Sequence, residues 1–362
     1  MALVVNPTPN DWNVKGFVAP GFESVERAFK TNLQNGDEVG ASVTAYYKGK
    51  KVVDLTGGYF DTSYNKPYDN KTLQVVFSSG KCIEAVLVAR LVQDGLFSYD
   101  DKITKYWPEF GANGKQNVTI KDLMGHRAGV SYLDGKERRP NAEQWSNLDV
   151  LAKMIADQPH NFDGKSVQSY HSFTRGWFLN EIVRRADPQH RTLGKFAELL
   201  LVKPLGIEFF YGIPAEINAR VSPLIHYPYG RKDLAPLPPV TQPHTNPTVA
   251  LKVNSSVRGP YQQVINTYEG RRGEGTSFSG ITNSNGLAKI AALMANGGEL
   301  DGYSYLTKQA LDEASQLQEL QTDLCLEKKN YYTFAGWGNW PHARLPHQWG
   351  EGANYDPNWE WW

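Results

Sequence analysis

The spacing of apolar and polar residues separates predicted helices from predicted strands in the first part of the chain. Four apolar residues recur there at intervals of three or four: Phe22, Val25, Phe29 and Leu33. This period predicts an amphipathic helix over residues 22–34. Two runs rich in β-branched and aromatic residues follow at 41–47 and 51–56, separated by a Lys-Gly-Lys turn. They predict a β-hairpin, which Gly57-Gly58 ends.

Longer apolar patterns predict helices for most of the remaining elements. Residues 82–92 are apolar except for Glu84 and Arg90, which predicts a helix that is buried on most sides. Thr119 and Asp122 have the spacing of a capping box and predict the start of a short helix. Further helices are predicted at 173–185, at 192–202, and around Leu287, Ile290, Ala291 and Met294, where Asn296-Gly297-Gly298 ends the pattern.

The order of these elements predicts an α+β fold. A helix and a hairpin come first, many helices follow, and the last segment would supply further strands. We expect an antiparallel sheet flanked by helices in three αβα layers, with an inserted, mostly helical lobe. The predicted domain covers residues 1–334, with a sheet lobe at 20–75 plus 275–334 and a helical lobe at 76–274. Residues 335–362 show neither the helical period nor the alternation of a strand, so we predict a tail there. The alternative that the sheet lacks its last strands stays open.

Composition and charge narrow the classes of function. The chain has 38 basic and 38 acidic residues, so nothing favours a nucleic acid or an anionic membrane as partner. Its two cysteines, Cys82 and Cys325, exclude a disulfide framework and a four-cysteine zinc site. We expect no cofactor and no metal.

The N-terminus lacks a signal-peptide pattern and no window has the length of a membrane span, so we expect a cytoplasmic protein. The oligomeric state is not readable.

A proline-rich segment interrupts the predicted helical lobe. Seven of the 21 prolines lie between residues 223 and 247. Such a segment is an extended loop, and long loops are often functional. Two interpretations stay open: a surface insertion, or a lid that walls a substrate channel.

Ser78-Ser79-Gly80-Lys81 is the strongest candidate for catalytic chemistry. Ser78 and Lys81 are three residues apart where the buried helix begins, so their side chains share one face. Burial and the helix dipole disfavour the ammonium and should lower the pKa of Lys81, and a neutral lysine could accept the Ser78 proton. A second match, Ser63 to Lys66, lies in a polar loop where nothing fixes its geometry. The alternative for Ser78 is a helix cap followed by a surface lysine.

The sequence around Ser78 resembles a known superfamily. Residues 40–130 contain VVDLTGGYFD, VVFSSGK, LVARLVQDGLFSYDDKITKYWPEF and TIKDLMGHRAGV. These are similar to the serine β-lactamase-like superfamily, which groups class C β-lactamases, D,D-peptidases and the carboxylesterases called family VIII. The resemblance implies that Ser78 is acylated and that Lys81 is its base. His126 in GHRAGV matches the loop histidine of the superfamily. A histidine could be a base, but the capping box upstream favours a role in bracing the loop.

The resemblance also implies a role for Tyr170. Its surroundings read YHSFTRGW, and esterase-like members of the superfamily show a similar Y-H-x-x-T-x-G-W run. A tyrosine hydroxyl near a lysine could pass the serine proton to the leaving group, provided that positive charge lowers its pKa. The alternative is a tyrosine packed at a helix start. His171 has no partner carboxylate in sequence reach and is interpreted as structural.

The third motif of the superfamily is not evident. Members carry K-T-G or H-x-G on a strand beside the site, whereas residues 335–340 read AGWGNW. Six of the ten tryptophans lie in the last 26 residues, and we hypothesise that the chain from about 335 comes from an alternative exon or a shifted reading frame.

These observations favour a serine hydrolase that forms an acyl-enzyme at Ser78. A carboxylesterase or amidase acting on a small ester or amide is favoured over a true β-lactamase. Two alternatives remain: a relative that binds or scaffolds without catalysis because the third motif is missing, and an isoform that folds poorly.

Overall fold

The computed structural model of the protein describes residues 12–225, 247–259 and 261–339. Its strands are β1 Lys15–Val18, β2 Gly40–Tyr47, β3 Lys50–Gly58, β4 Gln74–Val75, β5 Phe209–Tyr211, β6 Gly280–Thr282, β7 Glu299–Leu300, β8 Tyr303–Ser304, β9 Gln321–Thr322, β10 Lys329–Tyr332 and β11 Gly338–Asn339. Its helices are α1 Glu23–Asn35, α2 Gly80–Gln93, α3 Ile120–Met124, α4 Ala142–Ser146, α5 Leu148–Ile155, α6 Thr174–Ala186, α7 Leu193–Ala197, α8 Lys203–Leu205, α9 Pro247–Asn254, α10 Tyr261–Ile265, α11 Tyr268–Arg272, α12 Ser284–Ala295 and α13 Lys308–Ala314.

The predicted hairpin and the three layers around it are confirmed. Strands pair antiparallel in the order β1-β3-β2, with α1 packed on one face. Successive side chains of a strand point to opposite faces. Val43 of β2 lies with the α1 residues, while Thr44 Oγ1 lies 2.8 Å from Ser284 Oγ at the start of α12. The sheet therefore has a helix on each side, as an αβα arrangement requires.

Helix α2 is the centre of the core, as its apolar sequence predicts. Ten of its residues are buried, including Lys81 and Glu84. A cluster of large aromatic residues fills the helical lobe beside it: Trp107, Phe110, Trp145, Trp177 and Phe178. The capping box at Thr119 is also confirmed, since Thr119 and Asp122 exchange side-chain-to-backbone hydrogen bonds at the start of α3.

The helix predicted at 192–202 has a different course. It begins as α7, widens into a π-helical turn at Glu198–Val202, and ends in α8. Pro204 is the physical reason, because it has no N–H to offer the carbonyl four residues earlier and its ring crowds that carbonyl. The carbonyl belongs to Leu200, and the hydroxyl of Tyr303 donates to it at 2.9 Å.

A second small sheet places the nucleophile candidate. It has the order β4-β6-β5, and β4 leads directly into a 3₁₀ turn at Phe77–Ser79 that continues as α2. Val76 N donates to Gly280 O at 2.8 Å, which fixes this turn against β6. Phe77 has φ +45°, a strained backbone angle for a residue other than glycine. Phe77 is also 39% exposed, so little burial offsets the strain. Strain of this kind, with little burial to offset it, is typical of functional sites.

Two predictions fall mainly on residues that are not described. Most of the proline-rich segment 223–247 and residues 340–362 lie outside the described ranges. Residues 335–339 are described, and they fold back onto the domain: Ala335 is fully buried and β11 pairs with β10. The origin of the later residues stays a prediction. No helix within the described ranges is long and apolar enough to cross a membrane.

Candidate active site

Ser78 and Lys81 meet at the junction of the 3₁₀ turn and α2. Lys81 Nζ lies 3.3 Å from Ser78 Oγ, which is the result expected for two side chains one turn apart. Because the turn opens a helix, the Ser78 backbone N–H has no intrahelical acceptor. No residue in the described part of the chain accepts it either. The nucleophile candidate therefore carries a backbone donor that is available to a ligand.

Lys81 is buried, so the alternative of a surface lysine is wrong. Its side chain is 6% exposed, and its Nζ donates to Ser172 O at 2.7 Å and to Ser277 O at 2.8 Å. Burial, followed by the nearby Arg175 cation, lowers the pKa of Lys81 to about 7. A neutral amine has two N–H groups and one lone pair. With both N–H groups on carbonyls, the lone pair is left for the Ser78 hydroxyl.

Tyr170 completes the arrangement around Ser78. Its hydroxyl donates to Ser78 Oγ at 2.8 Å, and its ring lies 4.8 Å from Lys81 Nζ. The expectation of a lowered pKa is wrong: burial raises the pKa of Tyr170 to about 12, against a smaller lowering by the Ser78 hydrogen bond. Tyr170 is thus a neutral phenol at pH 7. It is a proton donor to Ser78, and Lys81 is the group suited to take the Ser78 proton.

Removing the Tyr170 hydroxyl is expected to slow any reaction at Ser78. Tyr170→Phe keeps the ring and its packing but deletes the donor that lies on Oγ, so we expect turnover to fall by about 10²-fold. The matched control is Tyr106→Phe, which deletes a hydroxyl that donates to Asp101 at 2.6 Å, outside this site. Steady-state rates of both variants measure the effect. Equal rates for Tyr170→Phe and the parent chain would contradict a role in proton transfer.

The two histidines near Tyr170 brace the backbone. His126 is fully buried, and its Nδ1 accepts the N–H of His171 at 2.9 Å. Its ring lies 4.8 Å from the Tyr170 ring. Burial lowers the pKa of His126 well below its ordinary value and that of His171 to about 3, so both rings are neutral. These contacts agree with the bracing role expected for His126.

A cavity of about 390 Å³ opens over these residues. Apart from Lys81 and Arg175, which are buried, the described lining is uncharged and mainly apolar or aromatic, and it includes Val76, Phe77, Leu326, Tyr332 and Trp337. Among the described lining residues, no exposed cation is present to bind a substrate carboxylate. The cavity therefore suits a neutral, partly apolar ligand.

The segment that replaces the third motif also lines this cavity. Gly336, Trp337 and Gly338 take part in the lining. Thr333 N donates to Trp337 O at 2.9 Å, so Thr333 and Trp337 form a hydrogen-bonded pair. In an antiparallel ladder, hydrogen-bonded and non-hydrogen-bonded pairs alternate. The next pair, Tyr332 and Gly338, is therefore of the non-hydrogen-bonded kind. The Gly338 N–H accordingly faces away from β10, on the side where no other described strand pairs with β11.

Three buried charged residues at the site escaped the sequence interpretation. Asp323 is fully buried and accepts the Tyr170 backbone N–H at 3.0 Å. Glu84 and Arg175 form an ion pair at 2.8 Å beneath Lys81. Glu84 had a usable signal, because a carboxylate inside an apolar helix requires a partner. Within the described residues, no group of three or more His, Cys, Asp or Glu side chains could hold a metal ion.

Comparisons with known proteins identify the family of the chain. The family described as Beta-lactamase matches residues 25–349. The curated "Esterase/beta-lactamase LipL" of Mycobacterium tuberculosis (strain ATCC 25618 / H37Rv) is 30% identical over 310 residues, which span 82% of this chain and 68% of that protein.

Solved structures give the same result. A family VIII carboxylesterase is similar with a TM-score of 0.78 and 27% identity, covering 89% of this chain and 82% of that one. A penicillin-binding protein homolog from Caulobacter crescentus is similar with a TM-score of 0.74 and 30% identity, covering 90% and 83%. The homologues are esterases, β-lactamases and penicillin-binding protein relatives. The family match extends beyond residue 334, where the sequence placed the start of a tail.

Proposed function

The chain belongs to the β-lactamase family, and from that premise we propose that it is a carboxylesterase that forms an acyl-enzyme at Ser78. One observation carries the proposal: Ser78 Oγ lies between the buried amine of Lys81 at 3.3 Å and the hydroxyl of Tyr170 at 2.8 Å, at the floor of a cavity. A serine needs an adjacent base to become a nucleophile. Lys81 is suited to that task because a base with a pKa near the working pH is the most effective.

Acylation follows from these positions. Ser78 Oγ forms a bond to the ester carbonyl carbon while its proton moves to Lys81 Nζ. The carbonyl oxygen becomes an oxyanion, for which we propose two donors, the N–H of Ser78 and the N–H of Gly338. The bond to the alkoxy oxygen then breaks. Tyr170 gives its proton to the leaving alkoxide and recovers a proton from the Lys81 ammonium.

Deacylation repeats the steps with water as the nucleophile. Water loses a proton to Lys81 as its oxygen bonds to the acyl carbon, and the Ser78–acyl bond breaks. Tyr170 gives its proton to Ser78 Oγ and recovers one from the Lys81 ammonium, which restores the starting state. The described cavity favours neutral esters over substrates that carry a carboxylate, since its only basic side chains besides histidine, Lys81 and Arg175, are buried and already hydrogen-bonded.

Covalent labelling tests the proposal. We expect a fluorophosphonate probe to label one peptide, the one containing Ser78, and an uncharged aryl ester of a short acid to protect it. A β-lactam carrying a carboxylate should protect it far less at the same concentration. Mass spectrometry of the digested protein reads the site. A folded chain that takes up no probe would refute the hydrolase and favour a non-catalytic binding protein, whereas protection by the β-lactam alone would refute the substrate class.

The pH dependence of the reaction is expected to follow Lys81. Acylation requires the neutral amine, so kcat/KM should rise with pH, with a midpoint near the Lys81 pKa of about 7. Tyr170 should add no falling limb below strongly alkaline pH, because its pKa is about 12. A neutral ester assayed between about pH 5 and pH 9.5 gives the profile. A rate that falls across this range would contradict Lys81 as the base.

A further inference from the structure

A buried ion pair joins the segments that build the site. We propose that Glu84 and Arg175 are positioning residues, which hold Lys81 and the Gly336 segment behind Ser78 and whose opposite charges balance at Lys81. This inference rests on the proposed function for its kinetic readout. The two side chains are 0% and 1% exposed, and Arg175 Nε donates to Glu84 Oε2 at 2.8 Å.

Glu84 is connected to Lys81 through a single residue. The Glu84 carboxylate accepts the hydroxyls of Thr276 at 2.6 Å and of Ser277 at 2.8 Å. The carbonyl of the same Ser277 accepts one N–H of Lys81 at 2.8 Å. Ser277 is therefore held from its side chain by Glu84 while its backbone orients the Lys81 amine. A shift of Ser277 would turn the Lys81 lone pair away from Ser78.

Arg175 holds the other side of the site. Its Nη2 donates to Lys81 O at 2.9 Å, and its Nη1 donates to Met124 O at 3.1 Å and lies 3.3 Å from Gly336 O. Gly336 has φ +95°, and a Cβ there would lie 2.7 Å from Met124 O. Arg175 thus fixes the chain immediately before Gly338, whose N–H is the second oxyanion donor in the proposed reaction.

The pair is hard to explain as a device for stability. Replacing a buried ion pair by apolar residues of similar volume is often neutral or stabilising. Here the pair sits in a tightly packed place, since a Cβ on Gly176 would lie 2.4 Å from Thr276 Oγ1 and 2.7 Å from Glu84 Oε1. Both side chains are buried, and their hydrogen bonds go to protein atoms that include Lys81 O, Gly336 O and the Ser277 hydroxyl. The Glu84–Arg175 pair therefore fixes the positions of residues at the site.

The charges that face Lys81 come from several elements. Glu84 and Cys82 lie on its own helix α2, Arg175 lies on α6, and Tyr170, His126 and His171 face it as neutral groups. Arg175 lowers the pKa of Lys81 and Glu84 raises it. Removing one charge therefore leaves the other unopposed. Loss of Glu84 disfavours the Lys81 ammonium further, and loss of Arg175 favours it.

Opposite shifts in the pH profile test the inference. We expect Glu84→Gln to move the midpoint of kcat/KM down by about one pH unit and Arg175→Gln to move it up by about one. In both variants kcat should fall about 10- to 100-fold because the lysine and the Gly336 segment are displaced. The double variant should restore a midpoint near that of the parent chain while kcat stays low. The control lies on α6, the helix of Arg175. Glu181→Gln with Arg184→Gln removes the Glu181–Arg184 ion pair at 3.0 Å, together with the Glu181–Arg185 and Arg184–Asp149 pairs, and should leave the midpoint unchanged.

The outcomes separate this inference from the proposed function. Lower rates with unmoved midpoints, or shifts of both midpoints in one direction, would overturn the charge balance. If Arg175→Gln does not fold, the sign of the Glu84→Gln shift decides, since that change keeps the shape of the side chain. NMR titration of ¹³Cε-labelled lysine, with the Lys81 signal identified by Lys81→Met, reads the same shifts without catalysis. Opposite NMR shifts in a chain that no probe labels would sustain the inference and reject the carboxylesterase.

Discussion

Replacing Ser78 by alanine is expected to lower ester hydrolysis by roughly 10⁶-fold, the order of loss found when a serine hydrolase loses its nucleophile. The physical reason is that the Oγ–acyl bond cannot form, while Lys81 and Tyr170 keep their positions on other partners: Ser172 O and Ser277 O for the lysine, and Asp323 for the tyrosine backbone. Initial rates with a chromogenic ester, measured against the uncatalysed reaction, give the effect.

The chain contains its own control for that experiment. Ser63 begins the second S-x-x-K, and its hydroxyl donates to Asp61 at 2.6 Å in an exposed loop. Ser63→Ala should leave the rate within about twofold, because exposed changes away from a site rarely matter. Similar losses in the two serine variants would show that the effect on Ser78 is not chemical.

Replacing Lys81 by methionine is the second large effect that we expect. It removes the group that takes the Ser78 proton, so kcat should fall by roughly 10³-fold, and the remaining rate should lose its midpoint near pH 7. The unbranched methionine chain occupies a similar volume in the buried site. Lys66→Met is the matched control, since Lys66 donates to Ala219 O at 3.4 Å and lies over the Phe60 ring on the surface, away from the site. A Lys81→Met enzyme with an unchanged pH profile would assign the base to another residue.

The same variant should become more stable while it becomes less active. The pKa of Lys81 is about 7 in the folded chain against an ordinary value of 10.5. Between those two values the unfolded chain binds a proton that the folded chain does not, so the free energy of unfolding rises with pH across this window. Burying Lys81 therefore costs stability below about pH 10, and the cost is largest below pH 7. Thermal unfolding at pH 7 should show a higher melting temperature for Lys81→Met than for the parent chain.

Much of the fold was predictable because its elements carry local periods. The apolar spacing at 22–34 gave α1, the turn between two β-rich runs gave the hairpin, and the apolar run at 82–92 gave α2. The helix at 192–202 was only partly right. Its apolar period was correct, but Pro204 converts the last turns to π-helical geometry and frees a carbonyl that a distant tyrosine occupies.

In the candidate site, too, contacts between residues close in sequence were predictable and contacts between distant residues were not. Ser78 and Lys81 are neighbours on one helix, so their spacing alone placed them in contact. Tyr170 entered through a resemblance to related sequences, since nothing local predicts that a residue 92 positions away lies 2.8 Å from Ser78 Oγ. The direction of the Tyr170 pKa was wrong because burial outweighs the nearby positive charge, and burial is a property of the packed chain.

By itself the sequence determined the class of fold, the family resemblance and the pair Ser78–Lys81, because each is written in residues close together along the chain. Only the tertiary structure decided the charge of Lys81, the donor role of Tyr170, the Glu84–Arg175 pair beneath them and the placing of Gly338 at the cavity. Those features depend on hydrogen bonds between residues 91 to 196 positions apart, as for Lys81 with Ser172 and Ser277. Contacts over such separations leave no period in the sequence, and desolvation exists only once the chain has closed around the group.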